Sequence, residues 1–401
     1  MSNRVYLALR LSLAIFSIVF VQGHIVGQAA VSRYKFSSDI REGVMQHPSS
    51  SGYQQAAADF SYIGDYQSSL AMWDSVHFAS PMITGGDSAY FNHFKPVDAR
   101  EYILKRASHE KIIIINEAHH HPEHRVFTES LLRGLYTLGF TYFGVETITR
   151  QDSLLNTRKY PVLTSGYYSI QPQYGNLIRS ALQEGYSVFA YDSNEPGING
   201  KEREIRQAEN IRSILTRDSS ARIVIHCGFD HIVESAYPAW EKAMAGRLKE
   251  YTGIDPFTID QVKLTETGAL QNDNPFYRLA DVSHYAVFAD SAGNVFNGPH
   301  GNLQHDVRVY HPRTKWLYGR PHWVFENGRK PYPISRKITS GFPRLIFAYP
   351  VSENEAIAVP EDVIEIRNPK DSKALALRKG SYLIISIDKK GNRERFKIKV
   401  Q

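Results

Sequence analysis

The chain has one cysteine in 401 residues, Cys227. An intramolecular disulfide is therefore impossible, and stability has to come from a packed core. Cys227 follows His226 in an apolar setting and reads as a buried structural thiol. No run of Lys or Arg interrupts the sequence, and the formal charge of +6 is modest. That describes a mildly basic surface, and nucleic acid is not an expected partner. The sequence has no His-Glu-x-x-His, no Gly-x-Ser-x-Gly, no Walker loop and no Gly-x-Gly-x-x-Gly. Their absence disfavours a serine-hydrolase triad, a zinc protease of that type and a dinucleotide enzyme. There is no Cys-x-x-Cys-His either, so covalent c-type haem is excluded. No internal repeat is evident.

What is present starts with a segment that resembles an address. Arg4 and Arg10 precede the apolar run Leu11 to Val21, and small residues follow at Gly27, Ala29 and Ala30. Charged start, apolar middle and small-residue exit describe a secretory signal peptide, with cleavage expected near Ala30. The run is shorter than the ~20 residues a membrane span needs. Cleavage would leave no span and a secreted or periplasmic chain. It would remove two arginines and no acid, taking the charge from +6 to +4.

Apolar content of 42% and charged content of 22% are ordinary for a folded soluble protein. Four parts are expected: the signal peptide 1–30, an N-terminal lead-in and helix 31–94, an α/β domain of catalytic type 95–340, and a small β module 341–401. Within the lead-in, 31–52 is polar and Ser/Gly-rich and reads as loosely held. Gln54 to Asp74 reads as one helix. Val97 to Ser108 reads as another, with acids in its first turn and bases in its last. A strand–helix alternation follows. Strands are expected at Lys111–Asn116, Phe140–Val145, Ser187–Tyr191, Ala221–Ile225 and His284–Ala289. Helices are expected at Pro122–Leu138, Tyr174–Glu184, Glu202–Thr216 and Ala236–Tyr251. This predicts an α/β fold with a mainly parallel sheet flanked by helices. Beyond Phe342 the helical period disappears. Arg344–Tyr349, Val363–Ile366, Tyr382–Ile387 and Arg395–Val400 read as strands, with a hairpin loop at Asp388–Asn392.

Chemistry collects where the predicted parallel strands end. Ile112 to Ile115 is an unbroken apolar run, as for a strand buried on both faces. It ends in Asn116-Glu117-Ala118-His119-His120-His121-Pro122-Glu123-His124. The next strands deliver Glu146, then Asp192, then His226, Asp230 and His231. A parallel sheet puts all of these on one edge, where such folds place their active sites. Histidine with carboxylate suits zinc, manganese or iron, and suits equally a metal-free reaction in which histidine moves protons. Adjacent histidines cannot all face one site, so part of the His119–His121 cluster is structural or solvated. Glu123 reads as a carboxylate favoured by the helix dipole, and Asp192 as a cap or a site residue. Arg313, Trp316, Arg320, His322 and Trp323 are candidates for a lid or for packing of the β module.

Asn116-Glu117-Ala118-His119 resembles the Gly-Glu-x-His signature of the superfamily that holds erythromycin esterases, TIKI/TraB-type proteins and ChaN-like haem-binding proteins. Asn116 stands where that family has glycine. Phe143-Gly144-Val145-Glu146 is similar to its second motif, and Ile225-His226-Cys227-Gly228-Phe229-Asp230-His231 to its late Gly-x-x-His motif. Arg203 and Arg206 lie in a segment similar to the helix before that motif. The resemblance spans about residues 95 to 290 and implies that Glu117, His119, Glu146 and His231 line the site. In the esterase-like branch they would activate water against an ester. In the TIKI-like branch, Glu117, His119, His120, Glu146 and His231 would hold a divalent metal such as zinc or manganese for peptide cleavage. In the ChaN-like branch the edge would carry haem. Asp192, His124 and Asp230 are secondary candidates. The expected function is thus an exported hydrolase acting on a small-molecule or peptide substrate. The alternatives are a haem or metal binder, or a surface interaction protein with a vestigial site. Substrate, metal and oligomeric state are not legible.

Overall fold

The computed structural model describes residues 33–76, 82–193, 195, 197–298, 304–334, 338 and 340–401. The segment expected to be a signal peptide, 1–30, lies outside the described residues. At the centre is a six-stranded parallel sheet built from β1 (Ile112–Glu117), β2 (Tyr142–Val145), β3 (Ser187–Ala190), β4 (Ile223–Gly228), β5 (Phe257–Asp260) and β6 (Val307–Arg308), flanked by helices. The spatial order is β6-β5-β1-β4-β2-β3. Ile112 to Ile115 and Ile223 to Ile225 are fully buried because both strands are central and covered on both faces. Two apolar layers sandwich the sheet. One holds Phe127, Leu131 and Leu135 with Leu177 and Ile178, and the other holds Ala208, Ile211, Met244 and Leu248.

The chain runs β1 to β2 to β3 outward, then returns to insert β4 between β1 and β2. That reversal opens a crevice at the carboxyl ends of the strands, as open α/β sheets do. Glu117, Glu146 and Gly228 sit at or just beyond the ends of three adjacent strands. Gly144 in β2 is needed for packing, since a Cβ there would meet Ile225 Cδ1 at 2.5 Å.

Several expected elements differ, each for a local reason. The helix expected over 54–74 is two helices, Ser50–Tyr62 and Tyr66–Asp74. Gly64 takes φ +70° between them and Asp65 caps the second. The helix expected over 236–251 is only Met244–Thr252. Pro238 lies in a tight hairpin that pairs Ala236–Tyr237 with Glu241–Lys242, and proline there cannot serve a helix interior. Ala286–Ala289 is a strand but lies outside the parallel sheet, antiparallel to Lys95–Asp98. The fifth and sixth sheet positions belong to β5 and β6, which are only four and two residues long.

The lead-in is not loose. Ser37–Gln46 is a helix, and Tyr34, Phe36 and Ile40 are buried beside it. The C-terminal strands β7 (Arg344–Pro350), β8 (Asp362–Ile366), β9 (Gly380–Asp388) and β10 (Arg393–Val400) form an antiparallel sheet in the order β8-β7-β9-β10. The N-terminal residues pack against it, sharing a core with Leu345, Phe347, Val363 and Ile387. Ion pairs fasten the same module to the α/β unit: buried Arg179 with Glu353, and Arg378 with Glu129, which buried Arg329 of the α/β unit also meets. Removing residues 341–401 would strip the N-terminal helices of the face they cover and leave Glu129 short of one of its cations. The truncated chain is expected to be insoluble or to lack a cooperative thermal transition, checked by calorimetry of the refolded product. Among the described residues, no helix is long and apolar enough to cross a membrane.

Candidate functional site

Glu117 ends β1 and has no exposed surface. A buried carboxylate needs partners, and four donors supply them. Oε2 accepts from Arg125 Nε at 2.6 Å and His226 Nε2 at 2.9 Å. Oε1 accepts from Arg125 Nη2 at 2.7 Å and His119 Nδ1 at 2.8 Å. A carboxylate has about four lone-pair sites, so this one is filled. Burial alone would raise its pKa, but the Arg125 charge and these hydrogen bonds hold it well below the usual range. Arg125 reaches Glu117 from the helix Glu123–Thr137 and is itself buried under the Tyr174 ring, 4.5 Å from its centroid. Since a carboxylate only accepts, His119 carries its proton on Nδ1. Its Nε2 is then the basic nitrogen.

His119 is stacked on Tyr168 at 4.0 Å and meets Phe229 edge-on. Its side chain keeps 18% of its surface exposed, so the ring is fixed yet reachable. Phe229 has φ +39°, an uncommon conformation for a bulky residue, immediately after β4. Gly228 is required here by close approach. A Cβ on it would lie 2.5 Å from His119 Nε2 and 3.1 Å from Glu146 Oε2. His119 from one strand end and Glu146 from another therefore crowd the same glycine.

Glu146, just past β2, accepts from the Gly228 N–H through Oε2 and from Arg203 Nη2 through Oε1 at 2.6 Å. His231 Nε2 stands 3.4 Å from the same Oε1. On its far side His231 Nδ1 hydrogen-bonds Glu204 Oε2 at 2.9 Å, and its ring stacks on Trp240. Arg203 also bonds Asp192 through Nε and Nη2, both at 2.9 Å. Arg203 Nη1 comes within 3.2 Å of His231 Nε2, which would be unfavourable for two isolated cations. Three carboxylates, Glu146, Asp192 and Glu204, surround these two groups and more than balance them. Burial alone would lower the His231 pKa, but Glu146 and Glu204 outweigh it and push it up to about 10. Glu146 moves down in turn: burial opposes this, and His231, His119 and Arg203 prevail.

The linkage has a definite sign. His231 titrates near its ordinary 6.5 when unfolded and at about 10 when folded. Its contribution to stability is complete below pH 6.5 and is lost as pH rises toward 10. The unfolding free energy is expected to fall across that window, with a slope of at most about 1.4 kcal/mol per pH unit. The His231→Gln variant should flatten it, as read from urea titrations at several pH values.

Of the residues expected from sequence, the structure brings Glu117, His119, Glu146 and His231 to one edge, with Asp192 behind Arg203. It does not bring His120 there. That ring stacks on Trp73 at 4.0 Å, in a column that continues to Phe229. Nor does it bring His124, whose buried ring stacks on His121 at 4.5 Å and whose Nδ1 accepts from the Ala118 N–H. Asp230 is half-buried and accepts from the Tyr237 hydroxyl. Asn116 clamps β1 to β5 through Asp260 and Gln261. In the 313–323 segment, Arg320 is buried on Asp362, and Trp323 packs against Tyr66. Arg313, Trp316 and Trp323 line a pocket of about 170 Å³ with His120, His121 and Glu266, so they do not form a lid over Glu117. Sequence reasoning named His226 at its strand end, missed Arg125 and Glu204 as site residues, and treated Arg203 only as part of a helix. Their roles depend on a partner from another strand end, which no local pattern encodes.

A metal fits the Glu117 edge poorly. The oxygens of Glu117 are saturated, and His231 is gripped by Glu204 beside Glu146 and Arg203. For haem, the pocket that His120 and His121 line falls short of the roughly 300–1,000 Å³ of drug-sized ligand sites, so that cluster does not fit a porphyrin. One group among the described residues could hold a metal ion: His121, Glu123 and Glu266, whose ligand atoms lie within 4.8 Å of one another. It lies away from the edge, behind the histidine cluster. Burial pushes the Glu266 carboxyl up to about 7, with Glu123 adding to it.

No family model matches the chain, and no curated protein is similar to it. Solved structures give slight likenesses. The type III effector HopBA1 is 11% identical over 55% of this chain and 96% of that one, with a TM-score of 0.33. RRSP, a MARTX toxin effector domain from Vibrio vulnificus CMCP6, is 17% identical over 58% and 45%, with a TM-score of 0.29. A structure described as "Bacterial protein toxins" is 14% identical over 55% and 45%, with a TM-score of 0.28. Likenesses this slight carry no functional argument, and the geometry of the edge has to stand alone.

Proposed function

We propose that the chain is an exported hydrolase of the erythromycin-esterase-like type, cleaving an ester or peptide bond with water activated by histidine. The observation that carries this reading is the Glu117–His119 pair: a buried, saturated carboxylate that fixes Nδ1–H of a partly exposed histidine. That is the orienter-and-base arrangement of acyl-transfer enzymes, with water in the place of a side-chain nucleophile. His119 Nε2 takes a proton from water as the hydroxide oxygen joins the carbonyl carbon. His231, held protonated by Glu146 and Glu204, is the group able to return a proton to the departing alcohol or amine. Arg203, 26% exposed beside Glu146, supplies positive charge toward the developing oxyanion.

The test is a broad panel of esters and peptides assayed with wild type, His231→Ala and Glu146→Ala. Turnover by wild type and its loss in both variants is the expected result. A wild type that cleaves nothing, or variants that lose nothing, overturns the reading.

A further inference from the structure

Away from the proposed hydrolytic edge lies a buried polar cluster that the reaction does not use. His121 and Glu123 flank Pro122 at the start of the helix Glu123–Thr137, and Glu266 approaches from the loop after β5. Glu123 has no exposed surface, and neither of its oxygens has a hydrogen-bond partner. His311 Nδ1, 3.7 Å from Glu123 Oε1, and the Tyr285 hydroxyl are polar neighbours. Both ring nitrogens of fully buried His311 are also unpartnered. A buried carboxylate without a well-formed hydrogen bond costs several kcal/mol, and one lying within reach of His121 and Glu266 points to a cation.

We propose that His121, Glu123 and Glu266 bind one divalent transition-metal ion, distinct from the Glu117 edge. The ligand set is pre-positioned. Thr265 Oγ1 lies 3.2 Å from His121 Nε2, the kind of outer contact that fixes a ligating imidazole, and His121 Nδ1 is unpartnered. Thr314 holds Glu266 through its hydroxyl and its N–H. Atoms within 4.8 Å of one another put an ion at their centre no more than about 2.8 Å from each. Reaching the roughly 2.0–2.2 Å of zinc bonds to nitrogen and carboxylate oxygen then needs side-chain movement of under ~1 Å. One imidazole and two carboxylates suit zinc or manganese and neutralise a dication. His121 and Glu266 also line the pocket of about 170 Å³, so a further coordination position would face that pocket.

The experiment is calorimetric titration of chelator-treated full chain with Zn²⁺ and with Mn²⁺. Wild type should bind one equivalent of at least one of these ions. Glu266→Gln and Glu123→Gln, each close in shape to the original, should weaken binding more than about 100-fold, while His119→Ala keeps it. Circular dichroism of each variant checks that it is folded. Absence of stoichiometric binding in wild type overturns the proposal. So does binding that survives both glutamine variants, or binding lost in His119→Ala and kept in the glutamine variants. Neither result bears on hydrolysis at the Glu117 edge.

Discussion

The His119→Ala variant is expected to lose about 10²–10⁴-fold in kcat against any substrate the wild type cleaves, the range that general acid–base groups contribute. The same variant should unfold at nearly the same urea concentration as wild type. His119 is partly exposed, and its ring rests on Tyr168 without filling the core. Losing it removes one of four donors to Glu117 and leaves the two from Arg125 in place. Steady-state kinetics beside denaturant titration separates this from a structural role, in which activity and stability would fall together.

Glu117→Ala should lose stability as well as activity. It leaves Arg125 buried and charged with no carboxylate, both side chains being fully enclosed in the native protein. Removing one partner of such a pair costs about 3–5 kcal/mol, and His226 loses its acceptor as well. Glu117→Gln keeps an oxygen facing the guanidinium and should lose less. The order wild type, Gln, Ala in urea midpoint is the expected outcome. Equal midpoints for wild type and Ala would show that the pair contributes nothing to stability.

These two variants also mark what was legible in the sequence. The run Ile112 to Ile115 ending in Glu117 announced a central strand and the edge it reaches, because burial on both faces leaves no polar positions. The same logic found β2, β3 and β4. It failed for β5 and β6, which are too short to show a run, and for Ala286–Ala289, where an apolar segment pairs outside the parallel sheet. Pro238 was the local cue against a helix over 236–251. Tyr34, Phe36 and Ile40 bury against Phe347 and Val363, a long-range match that polar composition around them concealed.

At the site, residue types were legible and pairings were not. Glu117, His119, Glu146 and His231 converge as their strand-end positions suggested. Arg125 and Glu204, which set the charge states of Glu117 and His231, sit on helices whose facing surface only the fold decides. The histidine cluster divides three ways: His119 to the edge, His120 to the Trp73 stack, and His121 and His124 to the buried group near Glu123.

Water attack at the Glu117–His119 edge is tested most directly by isotope. Wild type is incubated with the best ester of the panel in ¹⁸O-labelled water, and both products are weighed by mass spectrometry. The account predicts one ¹⁸O in the acid and none in the alcohol, with product formation falling to the uncatalysed level in His119→Ala. No hydrolysis by wild type, label in the alcohol, or undiminished product from His119→Ala would contradict it.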